Sequence, residues 1–231
     1  MIILYIVISV VLLVLAFLVW ASSSVGSGVY VHAFCREKTS EKRAYLTFDD
    51  GPDPVMTGGI LDILDARNAK AVFFLIGDKV SGNEDIVKDI VSGGHEIGIH
   101  SNCHRWFFPL LGKRRMTGDL SYCKSLLDTF SDCPVKLFRP PFGVTTPNMS
   151  YAVKYLGLNV IGWDIRTFDT VVKGSSKEKS EVVLKRVSKR LRPGSVILLH
   201  DRLPYSCAIL SAVLDYLDSM GYKYDKCIPV R

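Results

Sequence analysis

The first 35 residues follow a different pattern from the rest of the chain. Residues 2–20 are apolar except for Ser9, and residues 1–35 contain no Asp, Glu, Lys or Arg. No polar stripe divides that surface, so the run reads as a helix apolar on every side, unlike the amphipathic helix of a soluble core. At 1.5 Å per residue it spans about 28 Å, near the hydrocarbon thickness of a bilayer. Trp20 then falls where indole rings favour the interface. We read residues 1–21 as an uncleaved anchor and the chain as a single-pass membrane protein that contacts lipid through this helix. A cleaved signal peptide is the alternative, and Ala21-Ser22-Ser23 offers the small residues for it. Against it, no Lys or Arg precedes the run, which is also longer than a usual signal core. Arg36, Lys38, Lys42 and Arg43 follow the helix, but Glu37 and Glu41 dilute them. Large domains cross largely regardless of such charges, and the soluble part is expected to face the cell exterior or periplasm.

Residues 22–43 read as a linker and lead-in, with a Ser/Gly-rich, flexible beginning. From residue 44 onward short apolar runs alternate with helical periods. Strands are expected over residues 44–48, 71–76, 96–100, 135–138, 159–163 and 195–199. Helices are expected over 60–67, 86–91, 120–130, 182–191 and 209–220, with another opened by Thr146-Pro147 and running towards Leu156. Alternation at this length specifies α/β architecture on a parallel sheet, open or closed into a barrel, in one domain over residues 44–231.

A chain of 231 residues has room for one domain and a short appendage. Its 48% hydrophobic and 23% charged content fits a folded core. The net charge of +6 suggests an anionic neighbour such as phospholipid head groups or an acidic wall polymer. The basic residues are scattered, the longest run being Lys113-Arg114-Arg115, and no nucleic-acid reader motif accompanies them. No nucleic-acid partner and no obligate protein partner is expected. The six cysteines, Cys35, Cys103, Cys123, Cys133, Cys207 and Cys227, include no Cys-x-x-Cys pair, which argues against a zinc ribbon or a thioredoxin motif. Disulfides and buried thiols both remain open.

The chemically competent residues Asp49, Asp50, His100, Arg139, Asp169 and His200 fall just after expected strands. In a parallel sheet those C-terminal ends share one face and build the site. Asp49-Asp50 should point to different sides of its strand end, leaving one carboxylate for a metal and the other to act as base; an acidic turn is the plainer alternative. His100 and His104, four apart, would share one face of a helical turn, which suits chelation. With Asp50 they leave open positions on the ion, as in a catalytic rather than a structural site. Cys103 is either a soft competitor for that ion or an inward-packed thiol. His200 ends the apolar strand over 195–199.

These motifs together resemble the polysaccharide deacetylase family, the NodB-homology domain of carbohydrate esterase family 4, over roughly residues 44–231. Thr47-Phe48-Asp49-Asp50-Gly51 resembles the first motif, which implies Asp49 as catalytic base and Asp50 as metal ligand. His100 and His104 match the two ligands of the second. Arg139-Pro140-Pro141-Phe142-Gly143 resembles the third, implying that Arg139 orients the base and the Phe142 N–H faces an oxyanion. Trp163 to Asp169 resembles the fourth, with Trp163 at the substrate and Asp169 tuning the acid. Leu198 and His200 match the fifth, implying an apolar wall for the acetyl methyl and the general acid. Arg166 stands where many members carry an acid, Thr170 replaces a common tryptophan, and Phe142 a common tyrosine. The resemblance implies a distorted, incomplete (β/α) barrel and a metal-dependent hydrolase. Its divalent ion would be zinc foremost, with cobalt, manganese and nickel as other candidates. The partner it implies is an N-acetylated glycan, an N-acetylglucosamine polymer such as peptidoglycan or a chitin-like oligosaccharide, from which N-acetyl groups are removed.

Two rival readings use the same residues. Two His and one carboxylate also describe a non-haem iron oxygenase, which leaves Asp49 and His200 unexplained. A membrane-anchored carbohydrate-binding protein would need none of the acid–base residues.

Overall fold

The computed structural model describes residues 1–229. After the N-terminal helix α1 (Ile2–Ser23), eight strands form one parallel sheet: β1 (Ala33–Phe34), β2 (Ala44–Gly51), β3 (Ala71–Leu75), β4 (Glu96–Ile99), β5 (Leu137–Phe138), β6 (Asn159–Ile161), β7 (Ile165–Arg166) and β8 (Ser195–His200). Their order is β1-β6-β5-β4-β3-β2-β8-β7, and every pairing is parallel. The edges β1 and β7 do not pair, so the barrel is incomplete. Helices α2 (Met56–Ala66), α3 (Glu84–Ser92), α4 (Lys113–Asp128), α5 (Pro147–Leu156) and α6 (Ser176–Arg190) connect strands, and α7 (Ser206–Ser219) follows the last of them.

Side chains alternate across a strand, and here the two faces have different neighbours. In β2, Ala44, Leu46 and Phe48 join the large core shared with the helices, where Phe48 stacks on Phe73 at 5.0 Å. Tyr45 faces the barrel interior with Val72, Phe74, Leu137, Ile161 and Val196. The same interior parity carried upward gives Thr47 and Asp49 on β2, His100 after β4, Arg139 after β5, and Leu198 and His200 on β8. The pleat thus sorts the apolar floor from the polar top within single strands.

Several bounds differ from the sequence expectation. β1 and β7 have two residues each, too few for any periodicity to register. Strand β5 starts at Leu137 because the Val135 amide is taken by Asp128 Oδ1 at 2.7 Å. Helix α4 begins at Lys113, its first turn masked by a run of cations. Helix α6 begins at Ser176 behind a Ser175/Glu178 capping box, a signal that the sequence did carry. The Ser/Gly stretch after α1 is held down rather than loose. Thr145 N donates to Ser22 O at 2.9 Å, Ser27 Oγ donates to Ala21 O at 2.9 Å, and Val25 is buried. All six cysteines are free thiols.

Candidate active site

Asp49 and Asp50 do not diverge as an ideal strand would make them. Asp49 pairs with Phe74 and Gly51 with Leu75, so Asp50 is an extra residue in β2, at φ 75°. Such a bulge re-aims its side chain. Both carboxylates consequently reach the same imidazole, with Asp49 Oδ2 3.8 Å and Asp50 Oδ1 3.6 Å from His100 Nε2. Gly51 follows because the space beside it is filled: a Cβ there would lie 2.2 Å from Asp201 Oδ2.

His100 and His104 come together without a helical turn. Residues 101–105 form an irregular loop, with Ser101 and His104 both at positive φ. The His104 amide donates to Ser101 Oγ at 2.9 Å. The loop brings the two rings to 4.7 Å, and Phe142 packs on His104 at the same separation. His100 Nδ1 lies 2.9 Å from the Arg139 carbonyl, which can only accept, so Nδ1 carries a proton and Nε2 is the ring nitrogen left facing the two carboxylates. Burial, helped by neighbouring His100, lowers the His104 pKa to about 4 and keeps it neutral near pH 7.

Asp50 is drawn the other way. Burial alone would raise its pKa, but His100, His200, Arg202 and His104 outweigh that and hold it at about 2. Its Oδ2 accepts from Arg202 Nε at 2.8 Å. Its Oδ1 is buried and, among the described residues, has no hydrogen-bond partner, with His104 Nε2 3.4 Å away. One ligand atom from each of Asp50, His100 and His104 lies within 4.8 Å of the others. A carboxylate oxygen and two imidazole nitrogens converging in this way form a donor set that fits a divalent cation. Cys103 is outside that group and sits beside the Asn102 amide at 3.4 Å.

Around this centre stand two further pairs. Fully buried Arg139 donates to Asp49 Oδ1 at 2.7 Å, Thr47 Oγ1 at 2.8 Å and the Gly162 carbonyl at 2.8 Å, and lies over Phe74. Burial lowers its pKa while Asp49 opposes that. On the opposite side, His200 Nδ1 meets Asp169 Oδ1 at 2.8 Å. Burial works against the imidazolium there, yet Asp169 prevails and raises the pKa of His200.

A cavity of about 170 Å³ joins these groups; Phe142, Trp163, Arg166, Phe168, Thr170 and Leu198 line it beside Asp49, Asp50 and the three histidines. Phe142 adopts φ 61° in the turn Pro141–Gly143, and the next residue must be glycine because a Cβ on Gly143 would meet the Trp163 ring at 2.5 Å. Every residue given a catalytic, substrate or ligand role in the sequence therefore lies in or against one pocket, Asp169 and Arg139 from behind it, whereas Cys103 does not line it. Arg202 was missed: it lies two residues beyond His200, in the loop after β8, and only the fold shows that it grips Asp50. A larger groove of about 490 Å³ between residues 28–34 and α5 contains none of these groups.

Comparisons with known proteins find similarity to deacetylases. The family profile described as Polysaccharide deacetylase matches residues 36–161. The peptidoglycan-N-acetylglucosamine deacetylase PgdA of Listeria monocytogenes is 33% identical over 202 residues, which cover 86% of this chain and 40% of that protein. A chitooligosaccharide deacetylase of Sinorhizobium fredii is 29% identical over 176 residues, 76% of this chain and 79% of that one. Among solved structures, the polysaccharide deacetylase Bc1974 from Bacillus cereus superposes with a TM-score of 0.74 at 32% identity, covering 82% of this chain and 93% of that one.

Proposed function

The chain belongs to the polysaccharide deacetylase family, and from that membership we propose that it is a metal-dependent N-deacetylase of an N-acetylglucosamine-containing glycan, peptidoglycan first. The observation that carries this reading is the opposed pair of buried ion pairs, Arg139–Asp49 and Asp169–His200, flanking the Asp50, His100 and His104 donor set. The oxygenase reading leaves both pairs without work.

Asp50, His100 and His104 would hold the divalent ion, which when bound makes water easier to deprotonate and polarises the carbonyl. Asp49, paired with and aimed by Arg139, accepts the proton of the attacking water. The Phe142 backbone N–H donates to the oxygen that gains charge; such donors contribute about 2.7–4 kcal/mol in other enzymes. His200, held as imidazolium by Asp169, gives its proton to the departing amine, so acetate and a free amino sugar leave. Leu198 offers the acetyl methyl an apolar wall, and Trp163 offers the sugar a flat one.

Substrate choice rests on the relatives' names, since a peptidoglycan enzyme and a chitooligosaccharide enzyme are both similar to this chain. The Listeria protein is more than twice as long as the matching part, so its whole activity does not transfer by similarity alone. We infer further that α1 is retained as a single-pass anchor with the catalytic domain outside the membrane's inner side. Fully buried Ala21 and the bonded Ser22 carbonyl support this, because the residues of a would-be cleavage site are committed to packing. The test is acetate release, with mass spectrometry of products, over peptidoglycan fragments and chitooligosaccharides with zinc, cobalt, manganese or nickel. Release from peptidoglycan fragments supports the reading, and no release from any glycan with any metal overturns it.

A further inference from the structure

The end of α1 and the mouth of the pocket are joined by a short chain of contacts. Thr145, two residues past Gly143, donates from its amide to Ser22 O and from its hydroxyl to Ala21 O at 3.3 Å. Three residues on, Asn148 Nδ2 donates to the Leu111 carbonyl at 3.0 Å. The helix that is apolar on every side, and exposed from Ile2 to Trp20, therefore leaves the domain beside the loop that follows His104.

That loop and the first turn of α4, residues 105–115, read Arg-Trp-Phe-Phe-Pro-Leu-Leu-Gly-Lys-Arg-Arg. Phe108 and Pro109 are buried and fix it to the core, while Trp106 and Leu110 are 77% and 76% exposed. Arg105, Lys113, Arg114 and Arg115 are exposed, and among the described residues none has a carboxylate within 4.0 Å. Trp106 also borders an open groove with Asp50, His104, Phe142 and Arg202, which puts it at the pocket entrance. An exposed indole and an exposed leucine framed by cations that have no carboxylate partner among the described residues, Lys113 lying over the Tyr151 ring at 5.2 Å, have the composition that seats in a lipid interface. Cations beside an anionic leaflet add attraction that salt screens.

We propose that residues 105–115 are a second membrane contact. Trp106 and Leu110 enter the head-group region of a bilayer containing anionic lipid, and Arg105, Lys113, Arg114 and Arg115 lie against its phosphates. One tether fixes distance and leaves rotation free; two tethers on the same side of the domain hold the pocket mouth against the lipid surface. The glycan that reaches this pocket is then one lying close to the membrane. The inference rests on the anchor reading of α1 for its orientation, though not for the lipid contact itself.

The full chain carrying Trp20→Phe, reconstituted in vesicles of phosphatidylcholine and phosphatidylglycerol with brominated acyl chains, separates the two. Trp163 supplies a baseline away from lipid. Bromolipid should quench the emission of this protein, and Trp106→Phe added to it should abolish most of that quenching. Replacing phosphatidylglycerol by phosphatidylcholine, or changing Arg105, Lys113, Arg114 and Arg115 to Gln, should weaken it several-fold. Equal quenching with and without Trp106 overturns the proposal, as does quenching indifferent to lipid charge. Alkaline carbonate extraction reports on α1 separately: a resistant protein whose Trp106 is unquenched removes the loop contact alone, and an extractable one removes the anchor.

Discussion

Asp169 clamps His200 with both of its oxygens: Oδ1 lies 2.8 Å from the ring Nδ1, and Oδ2 accepts the backbone N–H of the same residue at 2.9 Å. The ring is fixed in rotation and its charged form is favoured in one arrangement. The carboxylate, not the burial, is what raises the pKa of His200. Asp169→Asn keeps the shape and removes the charge, leaving burial to act alone. The imidazolium should then be lost at lower pH, so the alkaline limb of kcat/KM should move down while the acidic limb stays. A full pH profile of both enzymes checks this, and an unmoved alkaline limb separates Asp169 from the acid.

Arg139→Leu tests how far the fold depends on the same buried charges. It removes the guanidinium and strands the Asp49 carboxylate, which is 3% exposed. Breaking one side of a buried pair costs about 3–5 kcal/mol. Urea denaturation of the variant should show a loss of that order, and Arg139→Leu with Asp49→Leu should recover part of it.

His104→Ala and His100→Ala should each weaken divalent-ion binding by more than the roughly 10–100-fold that outer-shell changes cost. The far-ultraviolet circular dichroism should stay unchanged, since the core is built without the ion. Calorimetric titration with zinc is the measurement. Cys103→Ser should bind as the parent does, because its thiol lies outside the donor group.

Asp201 predicts an acid-side stability slope. Fully buried beneath Gly51, with Thr57 Oγ1 donating to its Oδ2 at 2.7 Å, it has its pKa raised by burial from 3.8 to about 7. A raised carboxyl binds its proton more tightly in the fold, so its contribution is complete below 3.8 and is lost as pH rises through about 7. Against Asp201→Asn, which cannot titrate, the metal-free parent should lose melting temperature steadily across that window and run parallel above it. Parallel curves throughout would mean that Asp201 ionises freely.

The strand–helix alternation and the clustering of Asp49, Asp50, His100, Arg139, Asp169 and His200 at strand ends were legible because both follow from period and position. Three features were not. The bulge at Asp50 converts a residue that should point away into the neighbour of Asp49, and Thr-Phe-Asp-Asp-Gly has no periodic mark of it. The irregular loop over residues 101–105 reaches the same ring pairing as a helical turn by positive φ at Ser101 and His104, so the outcome was readable and the route was not. Arg202 escaped because a cation two residues past a histidine has no meaning until the loop folds back onto Asp50.

The most direct test is a paired rate measurement on His200→Ala with an acetamide and an activated acetyl ester. An amine must be protonated to leave, whereas a good alkoxide leaving group need not be. General acid steps contribute about 10²–10⁴-fold. The parent should release acetate and free amine in equal amounts from N-acetylglucosamine oligomers, His200→Ala should lose about that factor on the amide, and its rate on the ester should change far less. Equal losses on both substrates, or no acetate from the parent, would contradict the acid–base deacetylase assigned to this pocket.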